Sequence, residues 1–295
     1  MKSLAVDIGG VRMKNPVVLA SGTCGYGEVY TDFYAPADVG AIVTKGISLQ
    51  PRTGNPTPRM AETPAGMLNS IGLENVGLAG FVREKLPWLM QRRATVVVNF
   101  FGETEGEYIE LAEALSWHDG VVGLEMNVSC PNIREGGIEF GTDPVCLERL
   151  VAAVRGVCKK PLWVKLSPNV SDIAVLAKAA VAGGADALCL INTLRGMVID
   201  IETGRPALGS GMGGLSGPAI RPVAVAMVYQ AARSVDVPVV GMGGISSPED
   251  AMQFFLAGAK AVQVGTGCFV DPLLPIKIIR HLSSGRSFFE DYPHL

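Results

Sequence analysis

Charge is scarce in this 295-residue chain: Asp, Glu, Lys and Arg supply 18% of it, and the net charge is −3 with no block of like charges. A protein that grips nucleic acid needs a basic surface, so the composition argues against that class. Aromatic residues are also few, at 6%, and the 48% hydrophobic fraction is therefore mostly Val, Ala, Leu and Ile. No apolar run approaches the roughly 18 residues that a membrane-spanning helix requires. Met1 to Met13 lack the basic, apolar and small-residue succession of a signal peptide. The six cysteines (Cys24, Cys130, Cys146, Cys158, Cys189, Cys268) are scattered without a CxxC pair, and His118, His281 and His294 fall in no metal-ligand spacing. Neither a zinc site nor an iron–sulfur cluster is expected on this chain, and the free thiols suit a reducing cytoplasm.

Glycine, by contrast, is abundant: 36 of 295 residues, about 12% against a usual value near 7%. With no collagen-like period, the surplus belongs to chosen backbone positions. Short apolar runs alternate with longer amphipathic stretches. A small hairpin is expected first, Leu4–Val6 and Val11–Met13 joined by Gly9-Gly10. Eight candidate buried strands follow: Val17–Ala20, Ala41–Lys45, Thr95–Asn99, Gly123–Asn127, Leu162–Leu166, Ala187–Ile191, Val237–Gly241 and Ala261–Val264. Between them lie helical patterns such as Glu107–Leu115, Val145–Val157, Ile173–Ala182, Ala219–Ala232 and Pro248–Leu256. Strand then helix, eight times, predicts an α/β fold of the (β/α)8 barrel type, a single domain over residues 1–295, with a doubly wound sheet as the competing fold. Two connections, Gly46 to Arg93 and Asn192 to Asp236, are too long for plain turns and are expected as loops at the barrel mouth.

Barrel active sites form at the C-terminal ends of the strands. Those ends carry Ser21-Gly22, Lys45-Gly46, Asn99, Asn127 with Cys130, Lys165, Asn192-Thr193, Gly243-Gly244 and Gly265-Thr266. Glycine-rich turns after the last two strands suit a phosphate, because backbone N–H groups can approach it closely. Lys45 and Lys165 would be costly at a mouth without an anionic partner. An anionic substrate and an electron-rich cofactor ring are two such partners, and a Schiff base is a further option. Asn69, Asn99, Asn127, Asn132 and Asn192 offer amide donors and acceptors to a flat heterocycle. Cys130, stopped by Pro131 and flanked by polar residues, is a candidate base or nucleophile. No histidine is near in sequence, which argues against a papain-like hydrolase. The loop from Pro131 to Asp143, with Gly136-Gly137 as hinge, is a candidate lid.

Asn127-Val128-Ser129-Cys130-Pro131-Asn132 together with Met67-Leu68-Asn69-Ser70-Ile71-Gly72-Leu73-Glu74-Asn75 resembles the dihydroorotate dehydrogenase family of flavin enzymes in pyrimidine synthesis. The resemblance continues through Val164-Lys165-Leu166-Ser167-Pro168-Asn169, Ile191-Asn192-Thr193, Gly213-Gly214-Leu215-Ser216-Gly217-Pro218 and Gly241-Met242-Gly243-Gly244. A cysteine rather than a serine in the base position points to the soluble class 1. Gly136-Gly137-Ile138-Glu139-Phe140-Gly141-Thr142-Asp143-Pro144 and Pro58-Arg59-Met60-Ala61-Glu62-Thr63-Pro64 are similar to class 1B. Such a resemblance implies FMN on this chain, held by Ser21, Lys45, Gly46, Asn99, Asn127, Lys165, Ile191, Gly217, Gly243, Gly244, Gly265 and Thr266. It implies dihydroorotate held by Lys45, Asn69, Ile71, Gly72, Leu73, Asn127, Asn192 and Thr193, and Cys130 as the base that takes the C5 proton while hydride passes from C6 to FMN. It also implies a homodimer within a heterotetramer, whose electron-transfer subunit carries FAD and a [2Fe-2S] cluster and relays electrons to NAD. A dihydropyrimidine dehydrogenase-type reduction of uracil or thymine shares the barrel, FMN and cysteine. A cofactor-free Schiff-base or phosphate-binding barrel is the rival from another class.

Overall fold

A computed structural model describes residues 3–129, the backbone of Arg134–Glu135 and Ile138–Glu139, and residues 140–284. Eight short strands form a closed parallel barrel: β1 Val17–Leu19, β2 Ala41–Val43, β3 Val96–Phe100, β4 Gly123–Asn127, β5 Leu162–Lys165, β6 Ala187–Leu190, β7 Val239–Met242 and β8 Ala261–Val264. Each pairs with the next in sequence, and β8 closes on β1 with Val262 opposite Val17. All eight expected strands are present, displaced by no more than two residues at any end.

The strands read as continuous apolar runs because both faces are covered. Outward residues such as Val96, Val98 and Phe100 pack against helices α2 (Glu105–Ser116), α3 (Pro144–Val157), α4 (Ile173–Ala182), α5 (Arg221–Ala232) and α6 (Pro248–Ala257). Four of these begin on a side-chain cap, from Thr104, Asp143, Asp172 and Ser247, which satisfies an N–H of the first turn. Inward residues alternate with the outward ones. Val18, Val43, Val97, Trp163 and Val240 fill the barrel together with Ile8, Val11 and Met13 of the N-terminal hairpin. The hairpin therefore plugs the end of the barrel opposite the mouth, and Trp163 Nε1 donates to Ile8 O at 3.0 Å. Its first strand is Val6–Ile8, two residues later than expected, because a Gly9-Gly10 turn places Ile8 directly opposite Val11.

The two long connections are not independent loops. Met60–Thr63 and Gly66–Asn69 from the first join Leu194–Gly196 and Gly213–Ser216 from the second in one four-stranded antiparallel sheet. Gly214 stands opposite Asn69 and Leu215 opposite Leu68. Helices outside the five named patterns include α1 (Leu86–Gln91) and α7 (Leu274–Ser283). No helix among the described residues is long and apolar enough to cross a membrane.

Candidate active site

At the C-terminal ends of the strands lies a cavity of about 800 Å³. Every described candidate residue lines it. From the barrel and its turns come Ser21, Lys45, Gly46, Asn99, Asn127, Lys165, Ile191, Asn192, Thr193, Gly243, Gly244, Gly265 and Thr266. From the added sheet and its loops come Asn69, Ile71, Gly72, Leu73 and Gly217. Cys130 and Asn132 lie outside the described residues, as does the Gly136-Gly137 hinge. Of the expected lid loop, Arg134–Glu135 pairs antiparallel with Ile138–Glu139.

The added sheet forms one wall. Asn69 ends the strand Gly66–Asn69 and donates from Nδ2 to Gly214 O at 3.3 Å. The turn that follows is braced from both sides: Asn55 Nδ2 donates to Ser70 Oγ at 2.7 Å, and Ser210 Oγ donates to the same oxygen at 2.6 Å. Arg59 pairs with Glu74 at 2.6 Å, so the only acid on this loop that lines the cavity is already neutralised. On the barrel side, Asn192 Nδ2 donates to Asn127 Oδ1 at 3.4 Å, joining two of the predicted substrate amides.

The glycine turns form the other wall. Gly217 (φ 92°) and Gly244 (φ 78°) both occupy the left-handed region, where an L side chain is strained. A Cβ on Gly244 would stand 2.8 Å from Gly217 O, and one on Gly217 would stand 2.6 Å from Gly66 Cα. Glycine is thus what lets these turns nest. Behind them Arg221 pairs with Asp250 at 2.5 Å, and Asp250 Oδ2 accepts from Ser246 N and Oγ at 2.9 and 2.7 Å. Burial raises the Asp250 carboxyl, but these hydrogen bonds and the Arg221 charge outweigh it and hold the group below its ordinary range. Thr266 Oγ1 donates to Ser216 Oγ at 2.8 Å, tying the last turn to the added sheet.

Lys165 is 7% exposed, and neither its ammonium nor that of Lys45, both lining the cavity, has a hydrogen-bond or ion-pair partner among the described residues. Two lysines directed at one cavity favour an anionic occupant, since burying a cation unpaired costs several kcal/mol. Asn99 Oδ1 and Gln263 Oε1, both buried, are likewise without a partner. These orphaned acceptors, the glycine nest and the cationic lining together fit a flat, hydrogen-bonding, phosphate-bearing cofactor. The described cysteines other than Cys146 are all buried, as expected for structural thiols. Burial, and then Cys268, push Cys24 up to about 12; burial and then Asp271 do the same for Cys268.

Glu125, Gln263, Asp250 and Asn169 were not among the expected site residues. Glu125 and Gln263 carry a readable signal: each is a polar residue in the middle of an otherwise apolar strand run. Asn169 braces the Thr193 turn, donating to Thr193 O at 3.2 Å and accepting from Arg195 N at 2.9 Å.

Comparison with known proteins shows the family. The family model described as dihydroorotate dehydrogenase matches residues 3–285. The chain is 56% identical over 269 residues to a protein of Pelobacter propionicus named dihydroorotate dehydrogenase B (NAD(+)), catalytic subunit, covering 91% of this chain and 88% of that one. It is 51% identical over 282 residues to a protein of the same name from Geobacillus kaustophilus, covering 96% and 90% of the two chains. The chain belongs to the dihydroorotate dehydrogenase family.

Proposed function

We propose that this chain is the catalytic subunit of an NAD-linked, class 1B dihydroorotate dehydrogenase that oxidises (S)-dihydroorotate to orotate for pyrimidine synthesis. The observation that carries the reading is the single cavity that gathers every described candidate residue, in a chain of this family. FMN, when bound there, supplies the acceptor for the two electrons that leave the substrate as hydride from C6. Gly243, Gly244, Gly265 and Thr266 would hold its phosphate through backbone N–H groups, with Gly217 nearby and Ser21, Lys45, Gly46, Asn99, Asn127 and Ile191 along its length. Lys165 would keep a positive charge beside the ring and favour the form that has gained electrons. Lys45 would pair with the substrate carboxylate, and the amides of Asn69, Asn127 and Asn192 with its ring N–H and C=O groups, alongside Ile71, Gly72, Leu73 and Thr193. Cys130 would take the C5 proton as thiolate.

Protein stripped of ligand and reconstituted with FMN is expected to become yellow, and orotate to perturb the flavin absorption at lower concentration than uracil. A protein that stays colourless would sink the flavin reading. Uracil acting at or below the orotate concentration would sink the substrate assignment in favour of a dihydropyrimidine dehydrogenase-type reaction.

The name those relatives carry, a catalytic subunit linked to NAD(+), supports a partner subunit for this chain also. That partner is the proposed FAD- and [2Fe-2S]-bearing subunit of a heterotetramer built on a homodimer of this chain. Affinity purification from the native cells should recover an iron- and FAD-containing protein and NAD-dependent turnover. Full NAD reduction by the isolated chain alone would overturn it.

A further inference from the structure

The barrel interior changes character along its axis. Toward the hairpin it is apolar, but beneath the mouth it holds a carboxylate, Glu125, from the middle of β4 and wholly buried. A carboxylate in that position is tolerated only if both oxygens are paired. They are: Asn99 Nδ2 donates to Oε1 at 2.8 Å, and Gln263 Nε2 donates to Oε2 at 2.6 Å. The three residues come from β3, β4 and β8, brought together across the barrel.

Each amide has one donor end and one acceptor end, whereas a carboxylate only accepts. With Glu125 between them, Asn99 and Gln263 must both turn their nitrogens to it and their oxygens away. The oxygens, Asn99 Oδ1 and Gln263 Oε1, are buried and have no partner among the described residues. Both residues line the cavity, and Asn99 Oδ1 lies beside Gly46, where a Cβ would stand 2.9 Å from it. Buried acceptors are rarely left open in a folded protein, and a pair left open in one cavity points to a ligand that supplies the donors.

We infer that Glu125 is a positioning residue of the cofactor site. It locks the two amides with their oxygens presented to the donors of a bound flavin, the ring N–H and the ribityl hydroxyls. This inference rests on the flavin reading above. Glu125 itself does not line the cavity; it acts by removing the alternative orientation of each amide, in which an NH2 would face another N–H.

The test is a titration of the ligand-stripped full chain with FMN, followed by absorption and fluorescence, for wild type, E125Q, N99D and the double variant N99D/E125Q. Glutamine at 125 accepts from one neighbour but donates to the other, so one amide must reverse. E125Q is therefore expected to bind FMN about tenfold more weakly or worse, the usual consequence of an unpaired buried polar group, with a displaced flavin band. In N99D/E125Q, the aspartate accepts from the new glutamine with one oxygen and presents the other to the cavity. That variant is expected to return to within about threefold of the wild-type Kd. N99D alone, with two facing carboxylates, should bind at least about tenfold more weakly, and this holds the comparison together should E125Q fail to fold. Wild-type Kd and spectrum in E125Q or N99D, or a double variant no tighter than N99D alone, would overturn the inference. A wild-type chain that binds no FMN would instead overturn the flavin reading, and this inference with it.

Discussion

Cys130→Ala is expected to lower dihydroorotate oxidation by about 10² to 10⁴, the range that a positioned general base contributes, while FMN and orotate binding are retained. The residue is proposed on chemistry and sequence context. A base must be able to ionise near neutral pH, and the described thiols are poor candidates. Cys24 and Cys268 are pushed up to about 12 and Cys189 well above its ordinary value, burial being the first cause in each. Cys158 is buried against Lys160 O. Cys130, in contrast, directly follows Ser129, which lines the cavity. An ordinary thiol titrates near pH 8.5, so only a few per cent is thiolate at neutral pH. Because the thiolate is the active form, the wild-type rate should climb from pH 7 toward pH 8–9. The retained flavin and orotate binding of Cys130→Ala separate a chemical loss from a collapsed site. Turnover near wild type in the variant, or a flat rate profile across that pH range, would remove Cys130 from the mechanism.

Trp163→Ala is expected to cost about 3–5 kcal/mol of folding stability, read as a lower urea midpoint with an unchanged slope. Trp163 is fully buried, and its indole joins the two halves of the barrel plug: the ring packs among Val18, Val97 and Val240, and Nε1 holds Ile8 O. Removing it opens a cavity in the interior and leaves the Ile8 carbonyl unpaired in a dry environment. Trp163→Phe separates these two effects, since it keeps most of the volume but not the hydrogen bond; its loss should be smaller, about 1–3 kcal/mol. A Trp163→Ala loss below about 1 kcal/mol would mean that the hairpin is not part of the cooperative core.

The eight strands were legible in the sequence because a strand covered on both faces is largely apolar, and each run stops where a polar residue or a glycine turn reaches the mouth. Lys45, Asn99, Asn127, Lys165 and Asn192 could be found in this way, from the end of one element each. Leu86–Gln91 and Leu274–Ser283 carry proline in the first turn, at Pro87 and Pro275, as do the helices that begin at Pro144, Arg221 and Pro248. Proline is no obstacle there, because the first-turn N–H groups have no intrahelical hydrogen bond to lose.

What the sequence determined by itself was local: which stretches are buried, where they end, and which chemical groups stand at those ends. The tertiary structure alone decided what those groups meet. The mouth sheet pairs Gly214 with Asn69, and Glu125 meets Gln263, through contacts that span 145 and 138 residues of chain. Strands of three or four residues in glycine-rich connections bury no regular face, so no periodicity marks them. Nor can one chain position reveal a cross-barrel hydrogen bond, because it exists only once closure brings β3, β4 and β8 around a common interior. That closure turns a glutamate that looks like an oddity in an apolar run into the buried centre of the site's floor.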